Sequence, residues 1–331
     1  ATRTWARGVV TEYGYDARGS LLSVNYSDAT PDVTYTYDRL GRRLSAIAAG
    51  VSTNLYAYST NTLELIAETQ NGVVINRSRD TLGRESGLAL ESDYDVDYRY
   101  DTFGRFAQLR AFVSSCETNT FSYSDIPASS LISGMTASSG HAWTRSYEPN
   151  RNLTTAVTNS FNGNLISAFD YATDVLGRRT ARLDALPAGV AITNAFGYNM
   201  RSEVTSASMG TNKYGYVFDP IGNRIVSTNN AEVTSYAANE LNQYTNILCA
   251  SAPLWAPSHD DDGNMLTNGV WSYVWDGENR LRSVSSNNVL IATHTYDHQS
   301  RRIGKVAGGT TQSFLYDGWN LIREFQSSTI P

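Results

Sequence analysis

One short motif recurs along the whole chain, and its period limits the folds that the chain can adopt. In its full form, two aromatic residues separated by one residue precede Asp, and Gly and Arg follow three and four positions after the Asp. Residues 35–42, 98–105, 171–178 and 216–224 carry the clearest copies, with single departures in the last two. With divergent copies, the stretch from Asp16 to Asp317 divides into fourteen intervals of about 21.5 residues, which indicates a repeat protein of about fifteen units.

The physical chemistry of one unit predicts a β-hairpin. Side chains alternate along a strand, so the two aromatic residues lie on the same face. Asp at the first turn position accepts a hydrogen bond from the backbone two residues later. Gly supplies the positive φ that a type I turn with a G1 bulge requires, and the chain then leaves on a second strand.

Fifteen hairpins set the fold class. A single hairpin cannot bury its own apolar face, whereas stacked hairpins can. About thirty short strands are too many for a flat sheet, so the sheet must curl. The sequence therefore predicts an all-β fold in which tandem hairpins form one long antiparallel sheet that curls or spirals. Helical periodicity is nearly absent.

The repeat assigns structural roles to two sets of residues. The turn set comprises Asp16, Gly19, Asp38, Gly41, Arg42, Asp80, Gly83, Arg84, Asp101, Gly104, Arg105, Asp174, Gly177, Arg178, Asp219, Gly222, Arg224, Asp260, Gly263, Asp276, Asp297 and Asp317. The aromatic set comprises Tyr35, Tyr37, Tyr98, Tyr100, Tyr171, Tyr216, Phe218, Tyr273, Trp275, Tyr296 and Tyr316.

The motif continues almost from end to end, so residues 1–331 are predicted to form a single array. A length prior of about 150 residues per domain would instead give two domains. Residues 128–142, rich in Ser and Gly, and residues 250–257, with two prolines, are interpreted as loops between hairpins. The N-terminus has neither Met nor a signal profile, so we expect the chain to be a fragment of a longer polypeptide.

Composition narrows the possible functions. A net charge of −6 provides no basic excess for binding nucleic acid. No apolar stretch reaches the roughly 18 residues of a membrane span, and two cysteines are too few for a disulfide scaffold. The 26 basic residues are 24 Arg and two Lys, and Tyr occurs 21 times. Because Arg stacks on aromatic rings and pairs with carboxylates, we interpret this excess as mainly structural.

The motif at this period resembles the YD repeats of the Rhs family, which includes bacterial polymorphic toxins, insecticidal toxin complexes and teneurins. The resemblance covers nearly the whole chain and implies a partial Rhs-type shell around a C-terminal toxin or processing domain. The family's aspartyl self-cleavage belongs to an Asp-Pro-x-Gly core after the repeats. The one such sequence in this chain, residues 219–222, lies mid-array at an ordinary turn, so the protease role is not transferred to it.

Other candidate chemistry is weak. His294 and His298 lie four residues apart, but in a strand-and-turn context they do not converge on a metal as they would on a helix. Residues 260–264 lack the alternating carboxylates and the downstream Glu of a calcium loop. We therefore predict no catalytic, metal-binding or cofactor-binding residue.

The leading hypothesis is a non-catalytic shell segment, secreted or delivered to the cell surface by a bacterium. Its partner would be the enclosed C-terminal toxin or effector domain of the same parent polypeptide. The alternative is a cell-surface adhesion or carbohydrate-binding module that contacts a glycan or a protein. A third, weaker hypothesis is a hydrolase with its site in an irregular loop. Neither nucleic acid nor a membrane span is expected.

Overall fold

Strands form almost all of the regular structure, as the alternation of aromatic residues predicts. The computed structural model describes residues 1–91, 93–252 and 254–328. These residues contain thirty-one β-strands and one short 3-10 helix, Pro187–Gly189. The strands are β1 (Thr2–Thr4), β2 (Val10–Tyr15), β3 (Leu21–Tyr26), β4 (Val33–Tyr37), β5 (Arg43–Ala48), β6 (Ser52–Tyr58), β7 (Leu65–Gln70), β8 (Val73–Arg79), β9 (Glu85–Leu90), β10 (Tyr94–Tyr100), β11 (Phe106–Val113), β12 (Cys116–Asp125), β13 (Ile132–Ala137), β14 (His141–Tyr147), β15 (Thr154–Phe161), β16 (Asn164–Thr173), β17 (Arg179–Ala185), β18 (Ala191–Tyr198), β19 (Val204–Met209), β20 (Asn212–Phe218), β21 (Arg224–Asn229), β22 (Glu232–Ala238), β23 (Tyr244–Cys249), β24 (Ser258–His259), β25 (Met265–Asn268), β26 (Trp271–Trp275), β27 (Leu281–Ser286), β28 (Val289–Tyr296), β29 (Arg302–Ala307), β30 (Thr310–Asp317) and β31 (Asn320–Ser328).

The hairpins close on Asp loops. In β4–β5 the antiparallel pairing skips one residue next to the loop, because Thr36 pairs with Ser45 but Tyr37 pairs with Arg43. The same bulge adjoins the loops of β2–β3, β10–β11, β16–β17, β20–β21 and β28–β29. The seven glycines of the turn set have φ between +77° and +99°, the left-handed region that Gly enters without steric cost. The prediction of an all-β fold built from tandem antiparallel hairpins is confirmed.

A second kind of turn, not recognised in the sequence analysis, closes the other end of many hairpins. Two residues with positive φ connect the strands, as at Asn71–Gly72 and Asn162–Gly163. Such turns match the twist of the flanking strands, and Asn-Gly is their strongest sequence signal. Asp loops and two-residue turns therefore alternate along much of the array, one at each end of the strands.

The prediction of a loop is wrong for one of the two segments. Residues 128–142 contain all of β13 and the start of β14, because backbone pairing of β13 with β12 and β14 outweighs the low strand preference of its Ser and Gly. Residues 250–257 lie outside strands where they are described, and Pro253 of that segment lies outside the described residues. No α-helix occurs in residues 1–91, 93–252 and 254–328.

The chain divides into two compact units. Unit 1 comprises Ala1–Ser78, Asn239–Thr245 and Trp255–Pro331. In unit 1 strands β1 to β8 pair in chain order, from β1 with β2 to β7 with β8, and β24 to β31 form an eight-stranded antiparallel sheet. Its best-packed apolar cluster is centred on Val24, Val33, Tyr35, Ala46 and Ala48.

Unit 2 comprises Arg79–Ala238 and Asn246–Leu254. Strands β9 to β22 pair in chain order, all antiparallel. Fully buried apolar side chains are few and small in its second half, where Ala207 is one example. Regular backbone pairing and contacts at the Asp loops therefore contribute much of the order in unit 2. The prediction that residues 1–331 form one continuous array stays a prediction.

Candidate functional site: a ladder of turn carboxylates, arginines and tyrosines

The Asp loop of β4–β5 shows how one carboxylate organises a turn. The Gly41 amide donates to the Asp38 carbonyl at 3.1 Å. One carboxylate oxygen of Asp38 accepts the amides of Leu40 and Arg42 at 2.8 and 2.9 Å. The other oxygen accepts Nε of Arg42 at 2.7 Å. The Asp38 side chain thus accepts hydrogen bonds from two backbone amides and one guanidinium of its own loop.

This arrangement recurs with small changes. The same Asp–Arg clamp, with Nε–Oδ2 distances of 2.6 to 2.8 Å, forms in the pairs Asp80–Arg84, Asp101–Arg105, Asp174–Arg178, Asp276–Arg280 and Asp297–Arg301. Asn223 and Asn264 take the place of the arginine opposite Asp219 and Asp260. In the first loop Asp16 accepts the amides of Arg18 and Ser20 as the other loops do, but Ser20 stands where they have the clamping Arg or Asn.

Two members of the turn set lie elsewhere. Arg224 is five residues beyond Asp219, starts β21, and places its guanidinium 4.6 Å from the ring centre of Tyr236 instead of clamping the loop. Asp317 ends β30 and pairs with Asn320 across the two-residue turn Gly318–Trp319, so no Asp loop forms there. The turn role predicted for Asp317 is wrong, because strand pairing continues to Asn320 and the fourth residue after the Asp is Leu321, whose side chain cannot bond a carboxylate.

Four of the clamped carboxylates, those of Asp38, Asp80, Asp101 and Asp174, have a pKa below the ordinary value of an aspartate. Desolvation acts to raise the pKa of Asp174, but hydrogen bonds from the side chain and backbone of Arg178 outweigh it and hold the pKa below its ordinary value. The pKa of Asp38 is lowered in the same way by Arg42, against desolvation. These carboxylates are ionised and fully hydrogen-bonded at neutral pH, which suits a structural role better than proton transfer.

Each clamped arginine also reaches the next hairpin. Nη1 of Arg42 donates to the Leu63 carbonyl at 2.9 Å, and its guanidinium lies 4.4 Å from the ring centre of Tyr58. The same pair of contacts joins Arg178 to Asn199 and Tyr198, and joins Arg301 to Gly318 and Tyr316.

Tyrosines bond in the opposite direction, from a hairpin back to the preceding one. The hydroxyl of Tyr37 donates to the Leu21 carbonyl at 2.9 Å. Tyr100, Tyr296 and Tyr316 donate to the carbonyls of Glu85, Leu281 and Arg302 at 2.7 to 2.8 Å, and the Trp275 indole donates to Met265. We refer to the Asp–Arg clamps, the arginine bridges and these tyrosine bonds together as the turn ladder.

The other members of the aromatic set contact arginines, rings or the core. Arg179 lies 3.7 Å from the ring centre of Tyr171, and Arg224 lies 5.9 Å from that of Tyr216. Tyr35 is in the unit 1 core, and Tyr98 packs edge-on against Phe106. Phe218 and Tyr273 are half-buried strand residues that pair with Arg224 and Val284.

In unit 1 the late loops dock on the early hairpins. Glu278 pairs with Arg3 at 2.9 Å, and Asp262 pairs with Arg7 at 2.8 Å. The Gly277 amide donates to the hydroxyl of Thr30. We call this set of contacts the docking seam; it also includes those of His298, Tyr316 and Asp317 with β4–β8.

The centre of the docking seam is charged and buried. Arg301 and Asp297 form an ion pair at 2.6 Å with both side chains 1% exposed, and Glu68 lies 3.6 Å from Arg301. The Gln70 side chain donates to the Tyr316 carbonyl at 2.6 Å and accepts the Tyr316 amide at 3.2 Å. Motif reading missed Gln70 and Glu68 because neither belongs to the repeat.

His298 lies in the same seam. The Tyr56 hydroxyl is 3.2 Å from its Nε2, and the rings of Tyr35 and Tyr56 meet it edge-on. Burial lowers the pKa of His298 to about 4, aided by Arg43 and Arg301 and opposed by Asp297. His294 lies on β28 opposite Lys305, and burial lowers its pKa as well.

No group of three or more His, Cys, Asp or Glu side chains in residues 1–91, 93–252 and 254–328 is arranged to hold a metal ion. Cys116 and Cys249 are free thiols. No helix in the described part of the chain is long and apolar enough to cross a membrane.

Comparisons of sequence agree with the repeat motif. A profile of the teneurin YD-shell family matches residues 188–322. The tRNA nuclease WapA of Bacillus subtilis (strain 168) is 30% identical over 112 residues, which is 32% of this chain and 5% of WapA. The tRNA3(Ser)-specific nuclease WapA of Bacillus spizizenii matches to the same extent. The chain therefore spans about 5% of the length of these curated relatives.

Comparisons of structure agree with the hairpin fold. The crystal structure of TcdB2-TccC3-Cdc42 has a TM-score of 0.50 and 12% identity. That of TcdB2-TccC3 without its hypervariable C-terminal region has a TM-score of 0.52 and 11% identity. Each likeness covers 98% of this chain and 23% of the other. At such low identity the likeness shows the fold alone.

Proposed function

We propose that this chain, which is a YD-repeat protein of the Rhs type, forms part of the wall of a shell around a C-terminal toxin or effector domain of its parent polypeptide. The wall itself has no catalytic role in this proposal. It acts by excluding proteases and solvent from the enclosed domain until the parent polypeptide has been secreted or delivered to a cell surface. A bacterial source is part of the proposal, because the matched WapA nucleases are from Bacillus.

The turn ladder is the observation that carries this proposal. Its arginines and tyrosines connect consecutive hairpins in both directions, as Arg178 and Tyr198 do with Asn199 and Arg179. Bonds of this kind recur at many steps and hold neighbouring hairpins together where the apolar core is thin. A wall needs such lateral continuity, whereas a catalytic site needs one distinct constellation of residues, which a regular ladder does not provide.

Exposed apolar loop residues support contact with further polypeptide. In unit 2 the loops between the turn Asp or Asn and the fourth residue after it present Leu82, Phe103, Leu176, Met200 and Ile221, which are 69% to 100% exposed. Repeated large apolar side chains on a surface mark interaction sites, because exposing them to water is unfavourable. The proposal assigns this row to contact with other parts of the parent polypeptide.

Protease protection in the parent polypeptide tests the function. The intact parent is treated with proteinase K, and the lifetime of its C-terminal region is compared with that of the same region expressed alone. We expect the region to survive longer in the parent, since the wall blocks access. Equal lifetimes would contradict enclosure.

Variants connect that protection to the turn ladder. Arg42→Gln combined with Arg178→Gln removes two arginine bridges, and we expect the C-terminal region to be digested faster. Arg39→Gln is the matched control, because Arg39 lies in the same loop as Arg42 but is exposed to solvent. If the C-terminal region were protected equally well in both variants, the turn ladder would not be needed for protection.

A further inference from the structure

The loop between β28 and β29 inserts a histidine side chain between two early strands of unit 1. The rings of Tyr35 on β4 and Tyr56 on β6 meet the His298 ring edge-on, with ring centres 6.1 and 6.5 Å away. The Tyr56 hydroxyl, 242 residues earlier in the chain, lies 3.2 Å from Nε2 of the histidine. We call the space between these two rings the tyrosine slot; a titratable side chain fills it where the late sheet contacts the early hairpins.

The surroundings of the tyrosine slot disfavour a positive charge on the histidine. Arg43 on β5 and Arg301 in the loop of His298 repel a protonated ring, whereas Asp297 attracts it. Asp297 is already paired with Arg301 at 2.6 Å, and Glu68 on β7 lies 3.6 Å from Arg301. The two tyrosines of the slot are uncharged, since burial raises the pKa of both. A protonated ring would be a further cation beside carboxylates that an arginine already holds.

Hydrogen bonding in the slot also fits only the neutral ring. Nδ1 of His298 is buried and has no hydrogen-bond partner among the described residues. One nitrogen of a neutral imidazole carries no proton, whereas both nitrogens of an imidazolium are N–H donors. Protonation therefore leaves a buried donor without an acceptor, which is costly.

The docking seam can open without breaking either set of strands. Strands β24 to β31 have their own ladder of backbone pairing, and so do β1 to β8. Across the seam, the Gly277 amide donates to the Thr30 hydroxyl, and the Tyr316 amide donates to the Gln70 side chain at 3.2 Å. Water can replace such bonds when the two surfaces separate.

We propose that His298 is an acid-sensitive latch: protonation of its ring releases the β28–β29 loop from the tyrosine slot and opens the docking seam, while both sets of strands stay folded. The pKa of His298 is about 4 in the slot, below the ordinary 6.5, so the released ring takes up the proton first and acid favours opening. An open seam in a shell wall would be a gap; this consequence rests on the proposed function, whereas opening itself is measured on the chain alone.

Amide hydrogen exchange of the 331-residue chain measures opening of the seam. The Gly277 and Tyr316 amides, which donate across the seam, are the reporters, and the Asp38 and Asp276 amides, which donate within their own loops, are the references. Protection factors, which correct for the intrinsic pH dependence of exchange, are compared at pH 7 and pH 5, where ordinary carboxylates stay ionised. We expect the protection of the reporters to fall on the order of tenfold and that of the references to stay unchanged.

Substitutions connect the opening to the latch. His298→Gln should make reporter protection nearly equal at the two pH values, because Gln gains no proton. His298→Phe, which keeps a ring in the slot and gains no proton either, should behave in the same way. His294→Gln is the matched control; His294 lies on β28 opposite Lys305, and its loss should leave the acid response intact.

Three outcomes would each overturn the proposal. The first is reporter protection that does not change between pH 7 and pH 5 in the unchanged chain. The second is an equal loss of protection at the reference amides, which would mean general unfolding instead of seam opening. The third is an undiminished acid response in both His298→Gln and His298→Phe.

Discussion

At the scale of single residues, arginine makes three contacts in the Asp loops that lysine cannot make together. Arg42 pairs with the Asp38 carboxylate, donates to the Leu63 carbonyl and stacks on Tyr58. A planar guanidinium with five donors satisfies all three at once, whereas an ammonium is a compact charge without a stacking face. This requirement explains why the chain contains 24 Arg and two Lys.

Substitution of arginines predicts a graded loss of stability. Arg301→Gln leaves Asp297 buried without its cation, while Glu68 keeps Arg77 at 3.5 Å, and the change should cost about 3–5 kcal/mol. Arg42→Gln breaks the same contacts in a more exposed loop and should lower the thermal midpoint less. Arg39→Gln should have no measurable effect. Thermal unfolding, monitored by circular dichroism, gives the midpoints of the three variants. Equal midpoints for Arg301→Gln and Arg39→Gln would contradict the predicted order of stability.

Because the pKa of His298 is lowered in the folded chain, we expect unit 1 to lose stability in mild acid. Its pKa is about 4 in the folded chain, below the ordinary 6.5, mainly because it is buried. The unfolded chain therefore binds the proton more tightly, so the stabilisation is complete above pH 6.5 and is lost as pH falls towards 4. The shift corresponds to at most about 3 kcal/mol. The pKa values of the clamped Asp38 and Asp174 carboxylates are lowered from 3.8, so these two groups titrate below this window.

Urea unfolding at a series of pH values between 7 and 4 measures this dependence. His298→Gln should flatten the decline over that range, because Gln has no proton to gain. His141→Gln is the control, since His141 lies in unit 2, outside the docking seam. A decline of the same steepness in His298→Gln and in the unchanged chain would assign the pH dependence to other groups.

At the scale of the hairpin, the fourth residue of the Asp loop is set by backbone conformation. Gly41 has φ of +81°, and a Cβ added there would meet nothing within 4 Å. Other loops place Asn242, Asn279, Ser202 and Ser300 at this position with φ between +58° and +65°. The position therefore selects residues that tolerate a left-handed backbone, and space around the side chain is not the constraint.

Two substitutions at Gly41 separate conformation from sterics. Gly41→Ala should lower the free energy of unfolding by about 1 kcal/mol, because Ala enters the left-handed region at a cost. Gly41→Asn should cost clearly less, since Asn tolerates that region, although its side chain is larger. Urea unfolding provides both values. A greater loss for Asn than for Ala would mean that crowding decides this position.

The sequence predicts the hairpins well because the information is local. Asp38, Gly41 and the flanking aromatic residues lie within one period, and each acts on its own turn. The strand over residues 132–137 was missed because Ser and Gly are poor strand formers in isolation, and backbone pairing with β12 and β14 overrides that preference. Asp317 was misread because pairing across Gly318–Trp319 closes a shorter turn.

At the scale of the whole molecule, the docking seam was not predictable from the motif. Gln70 and Tyr316 are 246 residues apart, and nothing in their local sequence indicates that they meet. From the sequence, Glu68 is an ordinary polar residue of a strand, but in the structure it is buried within unit 1. Periodicity specifies the unit that is repeated, whereas long-range packing depends on residues in which one repeat differs from the next.

Electron cryomicroscopy of the intact parent polypeptide shows where its C-terminal region lies relative to the repeats. We expect density for that region enclosed by YD-repeat hairpins, with polypeptide packed on apolar loop residues such as Leu82, Phe103 and Ile221. A C-terminal region that forms a separate lobe outside the repeats, with these loop residues still facing solvent, would contradict the proposal that the chain is a wall segment of a shell.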